Sequence, residues 1–190
     1  MRIFLAVFPP PEVQAAAHHA VGQWRARGDG VSWVAPANLH FTLRFLGEQP
    51  DEAVARAEAA ARATASQHVP FGAALGGFGA FPTARRARVI WLGLSQGSEP
   101  LRRLAISLEE ALRAEDFPPD DPEFEPHLTL ARIRASADWT SRLIAAPAVE
   151  GRFRVEELAL VKSTLAAGGA RYEPIARVRL GARAAAPGRA

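Results

Sequence analysis

The chain has 190 residues, 48% of them hydrophobic and 23% charged, values that exclude wholesale disorder and leave enough apolar surface for a core without staples. Cysteine is absent, which excludes a disulfide framework, a thiolate metal site and a Cys nucleophile. The formal charge is only +3, but 22 arginines and one lysine, Lys162, carry the positive side against 20 acids. That bias reads first as the compositional habit of an alanine-rich chain and second as a supply of guanidinium forks for phosphate.

No apolar run approaches the roughly 20 residues of a membrane helix. The first apolar stretch is too short for a secretory signal. A cytoplasmic location with no membrane partner is therefore expected.

Residues 2–8 form a short run of aromatic and branched side chains, which predicts a buried strand. Pro9-Pro10-Pro11-Glu12 then starts a helix, with proline and an acid in the first turn. It is predicted to run to Arg27 and stop at Gly28-Asp29-Gly30. A brief extended piece covers residues 31–34, and residues 40–46 read as a strand. Pro50-Asp51-Glu52 opens an alanine-rich helix to Ser66. The glycine-rich residues 71–81 predict a strand with a bulge or a close backbone approach. A turn over 82–86 leads into a buried strand at 87–94. Ser98-Glu99-Pro100 opens a helix to Ala114, with Leu101, Leu104, Ile106, Leu108 and Leu112 near helical spacing. Residues 115–126 form an acidic, proline-rich loop. A strand at 127–134, a short helix at 137–145 and strands at 152–163 and 172–180 follow, the last two joined by a turn at 166–169. The tail, residues 181–190, has no apolar pattern and is expected to be frayed.

A unit of strand, helix, strand and strand thus occurs twice, beginning at His40 and again at His127, 87 residues later. Two like lobes facing each other across a pseudo-twofold axis are expected, with a ligand cleft between them. Residues 1–180 then make one bilobal domain, with the motif strands at 40–46 and 127–134.

Three of the five histidines, His18, His19 and His68, carry no pattern and read as solvated or locally bonded residues. The other two open one tetrapeptide in two copies, His40-Phe41-Thr42-Leu43 and His127-Leu128-Thr129-Leu130. On a strand the faces alternate, so each His shares a face with its Thr while the apolar pair turns to the core. The His and Thr of one copy are about 6.6 Å apart along the strand, a reach that suits one phosphate group. A single His-x-Thr-x is an ordinary accident of a half-buried strand; two copies at equivalent places in a duplication are not.

Two facing His-x-Thr pairs can split a phosphodiester. One imidazole takes a proton from the attacking oxygen, and the other gives one to the leaving oxygen. The hydroxyls of Thr42 and Thr129 donate to the non-bridging oxygens, where charge grows. The pattern is not a zinc arrangement, and neither a metal nor a cofactor is expected. Glu125 shares the parity of His127 and is a candidate orienter of its ring. Strand parity places Arg44 on the face of His40 and Thr42, and places Arg132 on the opposite face unless the strand ends or bulges first. Arg85, Arg86 and Arg88 cluster at a turn, where they form a solvated rim or steer an anionic chain toward the cleft. Trp33, Trp91 and Phe8 read as core residues, with base stacking as the other role open to them.

The sequence resembles the two-histidine phosphoesterases, and within them the bacterial and archaeal RNA 2′,3′-cyclic phosphodiesterases, also called 2′-5′ RNA ligases. The resemblance is carried by residues 2–9, by Val31-Ser32-Trp33-Val34 with Pro36, Asn38 and Leu39, and by His40-Phe41-Thr42-Leu43-Arg44-Phe45-Leu46-Gly47. It continues through Gly79-Ala80-Phe81-Pro82, Arg88-Val89-Ile90-Trp91-Leu92-Gly93, Pro126-His127-Leu128-Thr129-Leu130-Ala131-Arg132, Ser163 and Arg171-Tyr172. It implies an α+β bilobal fold with the cleft between two antiparallel sheets and helices outside. It implies hydrolysis of a terminal ribose 2′,3′-cyclic phosphate to a 2′-phosphate, with His40 as proton donor, His127 as proton acceptor, and Thr42 and Thr129 on the phosphoryl oxygens. It also points to Arg132 as a phosphate contact, against the parity preference for Arg44, and Arg132 is favoured because a strand end near the cleft breaks parity easily. RNA 3′ ends or small cyclic nucleotides are the expected substrates, and no obligate protein partner is indicated. The same histidines would serve 2′-5′ RNA joining or hydrolysis of another cyclic nucleotide phosphate. A nucleotide-binding module without chemistry is the alternative of a different class.

Overall fold

The structure is a computed structural model, and it describes residues 1–25, 30–120, 124–166 and 169–181. The tail at 182–190 and the helix stop expected at residues 28–29 lie outside the described residues.

Nine strands and four helices are described in chain order. They are β1 (Arg2–Val7), α1 (Pro11–Ala20), β2 (Val31–Trp33), β3 (Phe41–Glu48), α2 (Glu52–Ser66), β4 (Phe71–Phe81), β5 (Ala87–Gln96), α3 (Ser98–Ala114), β6 (Leu128–Ala137), α4 (Thr140–Ile144), β7 (Arg152–Val155), β8 (Glu157–Ala166) and β9 (Gly169–Arg179). No described helix is long and apolar enough to cross a membrane.

The chain is α+β, and every described strand pair is antiparallel. The expectation of two sheets is corrected at the level of hydrogen bonding. The strands form one sheet in the order β7-β4-β5-β6-β3-β1-β8-β9, with β2 added to β6. The sheet narrows in its middle, where β3 and β6 are paired only at Phe41 and Leu128. Beyond that point the edge of β6 is taken by β2, with Trp33 opposite Ala131 and the Val34 N–H donating to the Leu130 carbonyl. Both residues of the central pair are buried in the main core.

The sequence units are not the spatial halves. The β4–β5 hairpin follows the first motif strand in the chain, yet β5 pairs with the second, β6. The β8–β9 hairpin follows the second motif strand, yet β8 pairs with β1, next to the first. The strand expected over residues 152–163 is also two strands: β7 joins β4 in one half and β8 joins β1 in the other, with a break at Glu156. The sequence marks the crossing at Glu156-Glu157, where the apolar-polar alternation of residues 152–156 gives way to the apolar run 158–161.

α2 packs against α3, β8 and β9, and α3 packs against β3. α2 buries small residues, including Ala53, Ala57, Ala60, Ala61 and Ala65, so it can approach its neighbours closely. α3 buries Leu101, Leu104, Leu108 and Leu112, each contributing about 1.5–3 kcal/mol of apolar burial. Ile106 departs from the expectation: it is 58% exposed, because 101, 104, 108 and 112 already complete the buried stripe. α1 is shorter than predicted, ending at Ala20 before a 3-10 turn at Gly22–Trp24. A second, smaller apolar cluster lies on the concave face, formed by Phe4, Ala6, Ala159 and Val161 with Phe8 and Tyr172 against it. This cluster forms the floor beneath His40.

Candidate active site

The Phe41–Leu128 pair sets the geometry of both motifs. In an antiparallel register through that pair, His40 stands across from Thr129 and Thr42 across from His127. Phe41 and Leu128 point into the core, at 1% and 0% exposure. All four polar side chains therefore share the concave face.

The two imidazoles are held in the same way. His40 Nδ1 bonds the carbonyl oxygen of Asn38 at 2.7 Å, and His127 Nδ1 bonds the carbonyl oxygen of Glu125 at 2.7 Å. A carbonyl only accepts, so each Nδ1 carries the hydrogen and each Nε2 is left to exchange protons. Glu125 thus orients His127 through its backbone; its carboxylate instead pairs with Arg102 at 2.7 Å. The His40 side is braced further. Asn38 Nδ2 donates to the Ala170 carbonyl at the β8–β9 hairpin, and buried Gln14 Nε2 donates to the Leu39 carbonyl.

Around His40 lie Phe4 at 4.8 Å, Tyr172 at 5.1 Å and Phe8 at 5.3 Å between ring centroids. Phe81 stands edge-on to His127 at 5.1 Å, with Trp91 at 6.2 Å. Phe8 and Trp91 therefore flank the motif histidines rather than filling the main core. Trp33 faces the other side and meets Trp139. The position of Trp91 depends on Gly79, where a Cβ would lie 2.1 Å from the indole ring.

Burial drives both histidines toward the neutral form. His40 is lowered from 6.5 to about 4, chiefly by desolvation, which outweighs its bond to Asn38; the charges of His127 and Arg132 lower it further. His127 is lowered by desolvation too, but the Glu125 carbonyl and carboxylate act against this, while Arg132 adds to it. Both rings are thus within electrostatic reach of Arg132, and His40 is within reach of His127.

A cavity of about 370 Å³ opens over the motif face, lined among others by His40, Thr42, Thr129, Arg132, Ser163 and Tyr172. His127 does not itself line this cavity, although Thr129 of the same motif does. Arg2, Phe4, Asn38 and Phe45 also face the cavity. Sequence reasoning did not assign these to the site, although all four, like Ser163 and Tyr172, lay in the segments that carried the resemblance.

The parity preference for Arg44 is corrected. Opposite β1, Thr42 pairs with Ala6 and Arg44 with Leu5, which leaves Leu43 as an extra residue. This bulge turns Arg44 to the helical side. There it meets Glu109 at 2.9 Å, Asp120 at 2.5 Å and the Pro118 carbonyl at 2.6 Å. Arg44 thus ties β3 to α3 and to the loop that leads toward His127. On β6 the same event occurs: Trp91 pairs with Thr129 and Ile90 with Ala131, with Leu130 extra. Here the bulge brings Arg132 back onto the motif face, where it lines the cavity.

An antiparallel α+β fold with two His-x-Thr pairs on one concave face defines a phosphoesterase-type site. The family model of the 2′-5′ RNA ligase superfamily matches residues 9–166, and the chain belongs to that superfamily. An RNA 2′,3′-cyclic phosphodiesterase of Thermus thermophilus is 38% identical over 193 residues, covering 95% of this chain and 90% of that one. The RNA 2′,3′-cyclic phosphodiesterase of Escherichia coli K12 is 33% identical over 181 residues, covering 93% and 94%. Among solved structures, TT0787 of Thermus thermophilus superposes with a TM-score of 0.78 at 35% identity, covering 97% of this chain and all of that one. Escherichia coli LigT complexed with 3′-AMP superposes with a TM-score of 0.74 at 28% identity, covering 94% and 97%.

Proposed function

We propose that this chain hydrolyses terminal 2′,3′-cyclic phosphates of RNA to 2′-phosphomonoesters, without a metal, by paired histidine acid–base catalysis. The observation that carries the proposal is the cross-register placement of His40, Thr42, His127 and Thr129 around the Phe41–Leu128 pair, with both Nδ1 atoms on backbone carbonyls. The names of the relatives, and the 3′-AMP in the LigT structure, support a ribonucleotide phosphate as the ligand.

In the proposed step, neutral His127 Nε2 takes a proton from water as the water oxygen bonds to phosphorus. The P–O3′ bond breaks on the opposite side, and protonated His40 gives its Nε2 proton to the leaving 3′ oxygen. The ribose keeps the phosphate on its 2′ oxygen. Thr42 and Thr129 donate to the non-bridging oxygens, and Arg132 offsets the charge that grows there. His40 begins this step protonated, although burial favours its neutral form. The phosphate anion supplies the compensation, because a negative charge beside imidazolium raises its pKa.

The duplication reading belongs to the same proposal. The eight-strand path divides into β7-β4-β5-β6 and β3-β1-β8-β9, four strands each with a motif strand at the seam, and a pseudo-twofold axis would pass near Phe41 and Leu128. Residues 1–180 would then act as one domain, and an RNA-end substrate supports a cytoplasmic location.

The test is a panel of nucleoside and oligonucleotide 2′,3′-cyclic phosphates assayed with excess chelator, with the product phosphate position identified. Release of 2′-phosphate that is lost in His40→Ala and His127→Ala is the expected result. A 3′-phosphate product, 2′-5′ joining without hydrolysis, or tight binding without turnover would overturn the assignment.

A further inference from the structure

The two halves of the motif face differ in charge where they leave the cavity. On β6 the residues beyond the bulge at Leu130 alternate: Ala131 and Ile133 are buried, and Arg132 and Arg134 are exposed. The pairing with β2 is regular there, with Ser32 opposite Arg132 and Val31 opposite Ile133. Arg134 therefore shares the face of Arg132, about 6.8 Å further along the strand. That step is comparable to the distance between successive phosphates of an extended nucleic acid strand. Arg88, exposed on the neighbouring strand β5, reaches the Arg134 carbonyl with its Nη1 at 3.4 Å. Among the described residues, Arg88, Arg132 and Arg134 have no carboxylate within ion-pair distance.

The equivalent exit along β3 carries no such row. Five and seven residues after His127 stand Arg132 and Arg134; five and seven after His40 stand Phe45 and Gly47, followed by Glu48. Nearby Arg85 does not extend the row cleanly, since its charge is felt by Asp138.

We propose that Arg134 and Arg88 continue from Arg132 as a track for the phosphates of a single-stranded RNA chain lying 5′ to the cyclic end. The proposal rests on the cyclic-phosphate reading of the cleft and extends it to the substrate's length. Guanidinium groups with no ion-pair partner among the described residues suit successive phosphates, because each can make a charge-assisted fork. Such a track carries no base readout, so it favours length over sequence.

The experiment compares kcat/KM for a nucleoside 2′,3′-cyclic monophosphate and for a six-nucleotide RNA ending in the same group. The proteins compared are the parent chain, Arg88→Gln, Arg134→Gln, the double variant, and Arg62→Gln as a control on α2. The parent is expected to prefer the longer substrate. Arg134→Gln and Arg88→Gln should each cut kcat/KM on the RNA about tenfold, the value of one charge-assisted contact. Turnover of the mononucleotide should be unchanged, and Arg62→Gln should alter neither substrate. The slope of log kcat/KM against log salt on RNA should shrink by about 0.7 for each arginine removed. Equal parent rates on both substrates, or equal losses on both in the variants, would overturn the track while leaving the cleft assignment standing. Absence of mononucleotide turnover by the parent would instead strike the cleft assignment itself.

Discussion

Phe45 and Arg132 occupy equivalent positions, each five residues after a motif histidine, and both face the same cavity. A bulge at the fourth residue of each tetrapeptide, Leu43 and Leu130, turns them inward. One position offers an aromatic ring and the other a cation. Arg2 completes the contrast, its guanidinium 4.9 Å from the Phe45 ring centroid.

The bulges separate two arginines that strand parity would have ranked the other way. Arg132→Gln should lower kcat/KM about 10–100-fold, as expected for loss of a charge-assisted contact to phosphate, with little change in Tm. Arg44→Ala should instead destabilise the fold by about 2 kcal/mol, because Glu109 and Asp120 lose their partner. Arg44→Lys should restore only part of this, since an ammonium cannot reproduce the fork. Thermal melts alongside initial rates check the pair; a large Tm loss in Arg132→Gln with none in Arg44→Ala would reverse the assignment.

His40→Ala and His127→Ala should each reduce kcat by about 10²–10⁴-fold, the usual worth of a positioned general acid or base. Their Tm values should stay close to the parent's, since neither ring belongs to the main core. Single-turnover rates on a cyclic mononucleotide measure the loss. Near-full rates in either variant would remove that histidine from the mechanism.

Acid should weaken the fold through His40. Its folded pKa of about 4 lies below its ordinary 6.5, so between those values the unfolded chain binds more protons than the folded one. Stability therefore falls as pH drops from 6.5 toward 4 and is fully retained above 6.5. His127, also lowered, acts in the same direction. Tm followed from pH 7.5 to 4.5 should drop more steeply in the parent than in His40→Gln; equal slopes would show that His40 does not titrate in this way. A bound phosphate ligand should move the His40 titration upward, which NMR of the ring protons reads directly.

Gly79→Ala should disturb the His127 side of the cleft. A Cβ there would sit 2.1 Å from the Trp91 ring, and overpacking of this kind costs about 1–3 kcal/mol. Trp91 pairs with Thr129 across the strands, so kcat/KM should fall together with Tm. Tryptophan emission should shift if the ring is displaced; an unaltered spectrum with parental activity would show that the ring is not confined there.

Excess chelator should leave turnover unchanged. Two imidazoles account for both proton transfers in the proposed step, so the scheme calls on no metal ion. Activity that chelator removes and a divalent ion restores would refute the acid–base scheme.

Much of this protein was written in local pattern. The duplicated His-x-Thr-x, the apolar residues interleaved with it and the boundaries of α2 and α3 follow from strand alternation and helix periodicity, which act over a few residues. The partners of those elements were not. Which hairpin flanks which motif strand, the transfer of residues 152–163 from one half of the sheet to the other and the single pair joining β3 to β6 depend on contacts between distant segments. So does the division of labour between Arg44 and Arg132: a one-residue bulge reverses a face, and only pairing with β1 and β5 shows where each bulge falls. The sequence by itself determined which groups could perform the chemistry, because composition and spacing are local properties. Tertiary structure decided which of them share a cavity, because facing is settled by register, and register belongs to two strands at once.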